Sequence, residues 1–349
     1  MESKTKKHVL SIDIGYGNTK LVCGHDAGSW SEMCFKSVAP VVLANPAGLA
    51  GSLSTALDRI SIEIGNAAYL VGPEACISGG GAILGQDFMF RPEYLALLRG
   101  ALYYSMKHSG GMHPHIDVLV LGLPVSNWRR CQAELIPLGG GPHRIPVPIE
   151  LRSQFGETLE VSVGKVVVLP QPMGALNDAL HGASQSGELD ENAIHMVIDP
   201  GFNTFDWFVS IGLRPDLQRC GSLQGGVSQL LKVVSNAAGA RLGVGSLNLN
   251  AVEKGLKTGV MSVHGQRLDM DQFQPMMELA AEAVVDRFVN AIDLSLGIDT
   301  IHLAGGGAGF YAKPIRKAFA GYKINFDTAS VMANARGFYR VGEAVARMM

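Results

Sequence analysis

Two stretches decide the fold of this chain: IDIGYGNT at residues 12–19 and IDPGFNT at residues 198–204. Each places an aspartate at the end of an apolar strand, followed by glycine, an aromatic residue, asparagine and threonine. The two aspartates, Asp13 and Asp199, stand a little over half of the 349-residue chain apart. A motif repeated at this spacing predicts two related domains that face each other across a cleft.

Both loops carry groups that suit the binding of phosphate. Glycine lets the backbone approach a ligand closely, and the N–H groups exposed at such a turn form a concave anion site. Asparagine and threonine add side-chain donors. These loop residues are Gly15, Gly17, Asn18, Thr19, Gly201, Asn203 and Thr204. Either loop alone could be an ordinary tight hairpin made of turn-favouring residues, but the repetition argues against that alternative.

Charged residues complete the two loops. The carboxylates of Asp13 and Asp199 do not belong beside phosphate unless a cation lies between them. Mg²⁺ fits that role because it keeps most of its waters and takes few direct protein ligands. Lys20 directly follows the first loop and can place a point charge on the terminal phosphates. We therefore expect a magnesium-bound phosphate ligand.

A third glycine loop follows the apolar strand IHLA and precedes a helix. Its three consecutive glycines are Gly305, Gly306 and Gly307. The segment Gly307-x-Gly309-x-x-Ala312 also matches the dinucleotide-binding pattern, with Asp327 where the ribose-binding acid is expected. We expect the chain after Gly307 to be too short for a complete dinucleotide fold. A platform under a purine and ribose is the preferred interpretation, and an NAD-dependent enzyme is the alternative.

Composition excludes several classes of protein. Twenty-nine Lys and Arg oppose 31 Asp and Glu, which argues against broad electrostatic binding to nucleic acid. Despite a mean hydropathy of +0.18, no apolar run reaches the roughly 18 residues of a membrane span. The five cysteines are scattered and form no C-x-x-C pair, so a reducing cytoplasm is expected. They are Cys23, Cys34, Cys76, Cys131 and Cys220.

Strand-like and helix-like segments alternate along the whole chain, which predicts an α/β fold with mostly parallel pairing. Predicted elements include a helix at 49–56, a strand at 145–151 and one helix over 170–184. A predicted helix over about 330–349 ends the chain.

Taken together, DIGYGNTK, IDPGFNTFD and LAGGGAGFY resemble the two phosphate loops and the adenosine motif of the actin fold. Actins, sugar kinases and heat-shock chaperone ATPases share that fold. The chain is most similar to plasmid-segregation actins of the ParM/StbA type. Further similar segments follow in the right order: VLGLPVSNW (120–128), LPQPMGAL (169–176), VEKGLKTG (252–259) and ANARGF (333–338).

The resemblance implies an actin-like, ribonuclease H-like duplicated fold of two domains with an interdomain nucleotide cleft. Domain I would cover 1–169, with the final helix packing back on it, and domain II would cover 170–329. The implied cofactors are ATP, or GTP, and Mg²⁺. The implied nucleotide-binding residues are Asp13, Gly15, Tyr16, Gly17, Asn18, Thr19, Lys20, Gly201, Phe202, Asn203, Thr204, Glu253, Lys257, Gly305, Gly306 and Gly307.

Catalytic and metal roles also follow from the resemblance. Asp13 and Asp199 would hold the metal, and Asp199 is also an expected catalytic residue. Gln171 occupies the position that directs the attacking water, where ParM looks to carry an acid and conventional actins a glutamine. A glutamine orients water well, although Gln171 could instead only cap the helix that follows it.

The implied function is a cytoplasmic ATPase that forms dynamic filaments for plasmid segregation. Its partners would be further copies of itself and an adaptor DNA-binding protein at the plasmid centromere, with no direct sequence-specific DNA contact and no membrane. A small-molecule kinase of the same superfamily is an alternative, but it needs a carboxylate base that Gln171 cannot supply. A non-hydrolysing scaffold is another.

Overall fold

The computed structural model describes residues 7–24, 29–42, 57–78, 85, 87–109, 111–295, 297–326 and 330–349. The predicted helix at 49–56 and Asp327 lie outside these residues. By its internal contacts the chain divides into two units. Unit 1 comprises Met1–Leu189 with Met332–Met349, and unit 2 comprises Asp190–Val331.

Unit 1 is built on a six-stranded sheet with the order β3-β2-β1-β7-β9-β8. A smaller sheet has the order β4-β6-β5. The strands are β1 (Val9–Ile14), β2 (Asn18–Gly24), β3 (Trp30–Lys36), β4 (Val41–Val42), β5 (Ile60–Ile64), β6 (Ala67–Val71), β7 (His115–Leu123), β8 (His143–Pro146) and β9 (Thr158–Pro170). The helices are α1 (Pro92–Ser109), α2 (Val125–Gly140), α3 (Arg152–Phe155), α4 (Gln171–Ala179) and α5 (His181–Ser186).

Unit 2 is built on a sheet with the order β12-β11-β10-β16-β17, and β13 also pairs with β11. Its strands are β10 (Ile194–Pro200), β11 (Thr204–Ile211), β12 (Arg214–Pro215), β13 (Gly221–Gln224), β14 (Val260–Val263), β15 (Gln266–Asp269), β16 (Thr300–Leu303) and β17 (Lys323–Phe326). Its helices are α6 (Val227–Arg241), α7 (Leu249–Thr258), α8 (Gln274–Ala291) and α9 (Ala308–Ala318). The core centres on the rings of Phe205, Phe288 and Tyr311.

The last helix, α10 (Ala333–Met348), belongs to unit 1, where it packs on β1 and β7. Helix α1 also contacts β1. All six residues of β1 are buried, and four of the six residues of its sequence VLSIDI are apolar. Among the described residues, no helix is both long and apolar enough to cross a membrane.

The two main sheets repeat one strand order. In unit 1, β1 pairs antiparallel with β2 and parallel with β7, which pairs parallel with β9. In unit 2, β10 pairs antiparallel with β11 and parallel with β16, which pairs parallel with β17. The two quoted motifs occupy the corresponding hairpins, β1–β2 and β10–β11. The duplicated two-domain α/β fold is confirmed.

Several sequence-based expectations differ from the structure. Pairing is mixed rather than mostly parallel, because short glycine turns return the chain antiparallel to the preceding strand. The strand expected at 145–151 ends at Pro146, and Ile149–Leu151 forms a 3₁₀ turn after Pro148. The helix expected over 170–184 is two helices joined at Leu180.

The boundary between the units also differs from the expected position after residue 169. Unit 1 continues to Leu189. The physical reason is that α4 packs along α10, which places it with unit 1.

Candidate functional site

The first aspartate loop is a tight hairpin at the end of β1. The Gly15 N–H donates to the Asn18 carbonyl at 3.1 Å, and the register places Asp13 directly opposite Lys20. Asp13 is completely buried, and its Oδ2 accepts a hydrogen bond from Lys20 Nζ at 2.7 Å. The loop therefore holds a buried carboxylate together with its own neutralising cation.

Gln171 contacts the other oxygen of the same carboxylate. Its Nε2 lies 2.6 Å from Asp13 Oδ1. Strand β9 ends at Pro170, and β1, β7 and β9 are parallel neighbours, so Asp13 and Gln171 meet at the carboxyl edge of the sheet. Space for this arrangement comes from Gly122, where a Cβ would lie 3.2 Å from Asp13 Oδ1 and 2.4 Å from the Phe338 ring.

Two side chains of the first loop form hydrogen bonds to other parts of unit 1. The Thr19 hydroxyl is buried and bonds to the Ser37 hydroxyl at 2.9 Å. The Tyr16 hydroxyl donates to the Gly85 carbonyl at 2.9 Å. The Gly17 carbonyl accepts from the Ser37 N–H at 3.1 Å.

The second aspartate loop has the same shape but a different charge. Asp199 is 4% exposed, and the ladder register places it directly opposite Asp206. The Thr204 hydroxyl donates to Asp206 Oδ2 at 3.2 Å. Two carboxylates on directly opposed residues repel each other, so this position favours a bound cation more strongly than the Asp13–Lys20 pair does.

Helix α6 fixes the backbone of the second loop. Its first N–H groups, which have no partner within the helix, donate to loop carbonyls. Val227 N bonds to Gly201 O at 3.0 Å, and Ser228 N bonds to Phe202 O at 2.7 Å. Just before the helix, Gly226 N bonds to Asn203 O at 3.1 Å. The main chain of residues 201–203 is therefore rigidly held.

The third glycine loop packs directly on the second aspartate loop. Gly305 has a φ of +83°, and a Cβ there would lie 1.9 Å from Asp199 Oδ1. At Gly307 a Cβ would lie 2.4 Å from the Pro200 carbonyl, which accepts a hydrogen bond from Gly307 N at 2.9 Å. These glycines are needed for contact with Asp199 and Pro200. That role explains them without a dinucleotide fold.

A cavity of about 500 Å³ opens beside this loop within unit 2. Its volume lies in the range of small-molecule sites. It is lined by Lys257, Gln274, Met277, Glu278, Gly305, Gly306, Gly309, Phe310, Lys313, Pro314, Phe326, Ser330 and Val331. The Ser330 hydroxyl donates to the Gly305 carbonyl at 3.1 Å. The structure thus brings three of the predicted residues, Lys257, Gly305 and Gly306, to one cavity.

Most of the cavity wall was not predicted from the sequence. Gln274 and Met277 come from α8, and Phe326 ends β17. No motif marks them. Phe310 was within reach of sequence reasoning, because it directly follows the glycine loop. The predicted Glu253 forms an ion pair with Lys257 at 2.6 Å across one turn of α7, so it acts on the cavity through that lysine.

The carboxylates of the second aspartate loop are compatible with a magnesium ion, which takes few direct protein ligands. Among the described residues, no three His, Cys, Asp or Glu side chains are grouped closely enough to hold a metal alone. Mg²⁺ needs only one or two carboxylates, because waters and phosphate oxygens complete its shell. Asp199, opposite Asp206, suits this role.

A family model of actin-like proteins matches residues in each of the two units. Residues 11–174 match the family model "Actin like proteins N terminal domain", and residues 197–317 match "Archaeal actin homologue MreB-like, C-terminal". A search of curated proteins gave no match.

Solved structures agree in fold. An archaeal actin homologue, Ta0583, is 18% identical over 97% of this chain and 99% of its own, with a TM-score of 0.73. The same homologue has been solved in complex with ADP, with a TM-score of 0.71. A subunit of a 15-stranded ParM filament from Clostridium botulinum is 16% identical over 97% of this chain and 100% of its own, with a TM-score of 0.74.

Proposed function

Since this chain belongs to the actin-like proteins, we propose that it binds and hydrolyses Mg-bound ATP, or GTP, and polymerises into filaments. The observation that carries the proposal is the arrangement around Asp13. A buried carboxylate there holds a lysine on one oxygen and a glutamine on the other. Such a set suits the end of a triphosphate, where charge must be neutralised and water directed.

The first loop supplies charge and backbone donors to the β- and γ-phosphates. Lys20 is held in place by Asp13 and presents its ammonium group beside Gly15, whose Cβ position would lie 3.9 Å from Nζ. Asp13 and Asp199 are the proposed carboxylates for Mg²⁺, which would neutralise phosphate charge. The loop from Asp199 to Thr204 is proposed to bind phosphate as well.

Gln171 has the orientation that water activation needs. A carboxylate only accepts hydrogen bonds, so the amide nitrogen of Gln171 faces Asp13 and its carbonyl oxygen faces away. That oxygen can accept a hydrogen bond from the attacking water. An amide takes no proton from a hydroxyl acceptor, so Gln171 cannot serve as the base that a small-molecule kinase needs.

The nucleoside would occupy the cavity beside the glycine loop. Gly305 and Gly306 form its base next to Asp199, and Phe310 and Phe326 offer apolar ring surface. The ADP complex of the archaeal actin homologue supports a nucleotide ligand for this fold. An NAD-dependent enzyme has no comparable support, because Gly307, the first glycine of the dinucleotide pattern, packs against the Pro200 carbonyl.

We further propose that the filaments move or anchor plasmid copies in the cytoplasm. The similarity to a ParM filament subunit supports self-association. A formal net charge of −2 suits an indirect link to DNA through an adaptor protein.

The function is tested by light scattering with ATP, GTP, ADP or no nucleotide, by electron microscopy and by phosphate release. We expect scattering to rise only with a triphosphate, and filaments to be visible. Asp199→Ala should abolish Mg-dependent hydrolysis, whereas Asp286→Ala, an exposed carboxylate of the same unit, should leave it unchanged. Phosphoryl transfer to a small molecule without filaments would support a kinase. Nucleotide binding without phosphate release would support a scaffold.

A further inference from the structure

One face of helix α4 connects the candidate catalytic glutamine to the last helix of the chain. Gln171, Gly174 and Asp178 stand at positions i, i+3 and i+7, which share a face of an α-helix. Gln171 contacts Asp13 at the first turn. Gly174 and Asp178 contact α10.

Gly174 and Gly337 allow the two helices to touch through their backbones. A Cβ at Gly337 would lie 1.7 Å from the Gly174 carbonyl oxygen, and a Cβ at Gly174 would lie 2.4 Å from the Asn334 carbonyl oxygen. No side chain separates the helices at this crossing, so the position of α4 is set directly by α10.

The Asp178 carboxylate adds a polar clamp two turns from Gln171. Its Oδ2 accepts from Arg336 Nε at 2.7 Å, and its Oδ1 accepts from Arg340 Nε at 3.2 Å. The three side chains are 12%, 14% and 20% exposed, so water screens these charge-assisted bonds only weakly.

Each arginine is itself anchored on β3. The Arg336 guanidinium lies 3.6 Å from Glu32 Oε2. The Arg340 guanidinium lies 4.8 Å from the centre of the Trp30 ring, within the range of a cation–π contact. Asp178 therefore binds α4 to a preorganised surface rather than to two freely moving side chains.

We propose that Asp178 is a positioning residue for hydrolysis, which holds α4 against α10 and thereby fixes Gln171 at Asp13. The inference rests on the proposed function. Helix α4 has nine residues, too few to be stable alone, so its orientation depends on its contacts. Without the clamp, α4 can pivot at the Gly174 crossing and displace Gln171 at its other end. Small displacements of a group that orients a reactant cost large factors in rate.

The test is steady-state hydrolysis by Asp178→Asn, which removes the charge and keeps the shape. We expect kcat to fall about tenfold while KM and nucleotide affinity stay unchanged. In the Gln171→Ala variant, adding Asp178→Asn should have no further effect on kcat. If Asp178 were merely structural, Asp178→Asn would lower kcat by the same factor with and without Gln171. Glu282→Gln, which removes a carboxylate from the surface ion pair with Lys317, is the matched control and should be neutral.

A second variant distinguishes an effect on catalysis from a loss of folding. Asp178→Glu keeps the charge on a longer side chain, and we expect a folded protein with a kcat between those of wild type and Asp178→Asn. An unchanged kcat in both Asp178 variants, while wild type turns over, overturns this inference alone. A wild-type protein that hydrolyses no nucleotide overturns the proposed function and this inference with it.

Discussion

The amide nitrogen of Gln171 lies 2.6 Å from Oδ1 of Asp13, although 158 positions separate the two residues in the chain. The contact joins the first strand of unit 1 to the start of α4. It forms because three parallel strands place their carboxyl ends at one edge of the sheet. The side chain proposed to direct water and the buried carboxylate of the first aspartate loop are thus parts of one hydrogen-bonded group.

Gln171→Ala tests this group directly. The variant loses the carbonyl oxygen that would orient water, so we expect phosphate release to fall by about two orders of magnitude. Nucleotide affinity should stay close to that of wild type. Gln154→Ala, at an exposed position of α3, is the control. Equal turnover of wild type and Gln171→Ala would remove Gln171 from its proposed role.

Lys20→Met should destabilise the protein. It leaves the completely buried Asp13 carboxylate without its cation, and breaking a buried ion pair costs about 3–5 kcal/mol. Urea denaturation monitored by circular dichroism measures the loss of unfolding free energy. Adding Asp13→Asn should restore part of it, because the uncompensated charge is then absent. If Lys20→Met unfolds at the wild-type urea concentration, the ion pair contributes nothing.

Gly305→Ala should weaken both stability and nucleotide binding. The new Cβ would lie 1.9 Å from Asp199 Oδ1, and the φ of +83° disfavours any residue with a Cβ. We expect a loss of about 1–3 kcal/mol in unfolding free energy and a marked loss of nucleotide affinity by fluorescence titration. A Cβ added at Gly309, in the same motif, would meet open space. The free energy of unfolding of Gly309→Ala should therefore equal that of wild type. Equal stability of the two variants would contradict the packing of Gly305 on Asp199.

Stability should also depend on pH through two buried histidines of unit 2. His302 Nε2 lies 3.2 Å from His195 Nδ1, and burial, followed by His195 and Lys323, lowers the pKa of His302 to about 4. Burial also lowers the pKa of His195, whereas Asp299 and Asp190 act in the opposite direction. In the unfolded chain both histidines bind a proton with the ordinary histidine pKa of 6.5.

The unfolded state therefore holds more protons than the folded state between about pH 6.5 and pH 4. The contribution of the neutral histidines to the free energy of unfolding should be fully present above about pH 6.5. It should decrease as the pH falls, by about 3 kcal/mol for His302. Chemical denaturation at a series of pH values measures the slope. His302→Leu should flatten it across this range. An unchanged slope in that variant would exclude the histidine pair as its source.

Much of the fold could be predicted because local signals agreed with it. Asp13 and Asp199 lie next to the ends of buried, mostly apolar strands, and glycine turns follow both. The pairing partners were harder to foresee. The hydroxyl that bonds to Thr19 belongs to Ser37, in the loop after the neighbouring strand β3. Only tertiary packing brings that hydroxyl near.

The lining of the cavity could likewise be predicted only in part from the sequence. Its glycine loop is a sequence motif, so Gly305 and Gly306 were predictable. Gln274 and Met277 enter the cavity from α8, which ordinary helix packing places there. Their residue types are common on any helix. The sequence leaves the positions of the helices in unit 2 undetermined.

The repeated strand order of the two units has a consequence for how duplicated folds diverge. One ladder position holds Lys20 in the first copy and Asp206 in the second, opposite an aspartate in both. The residue at that single position gives one hairpin a carboxylate paired with a lysine and gives its twin two opposed carboxylates. Two halves with the same architecture can in this way acquire different tasks while every strand keeps its place.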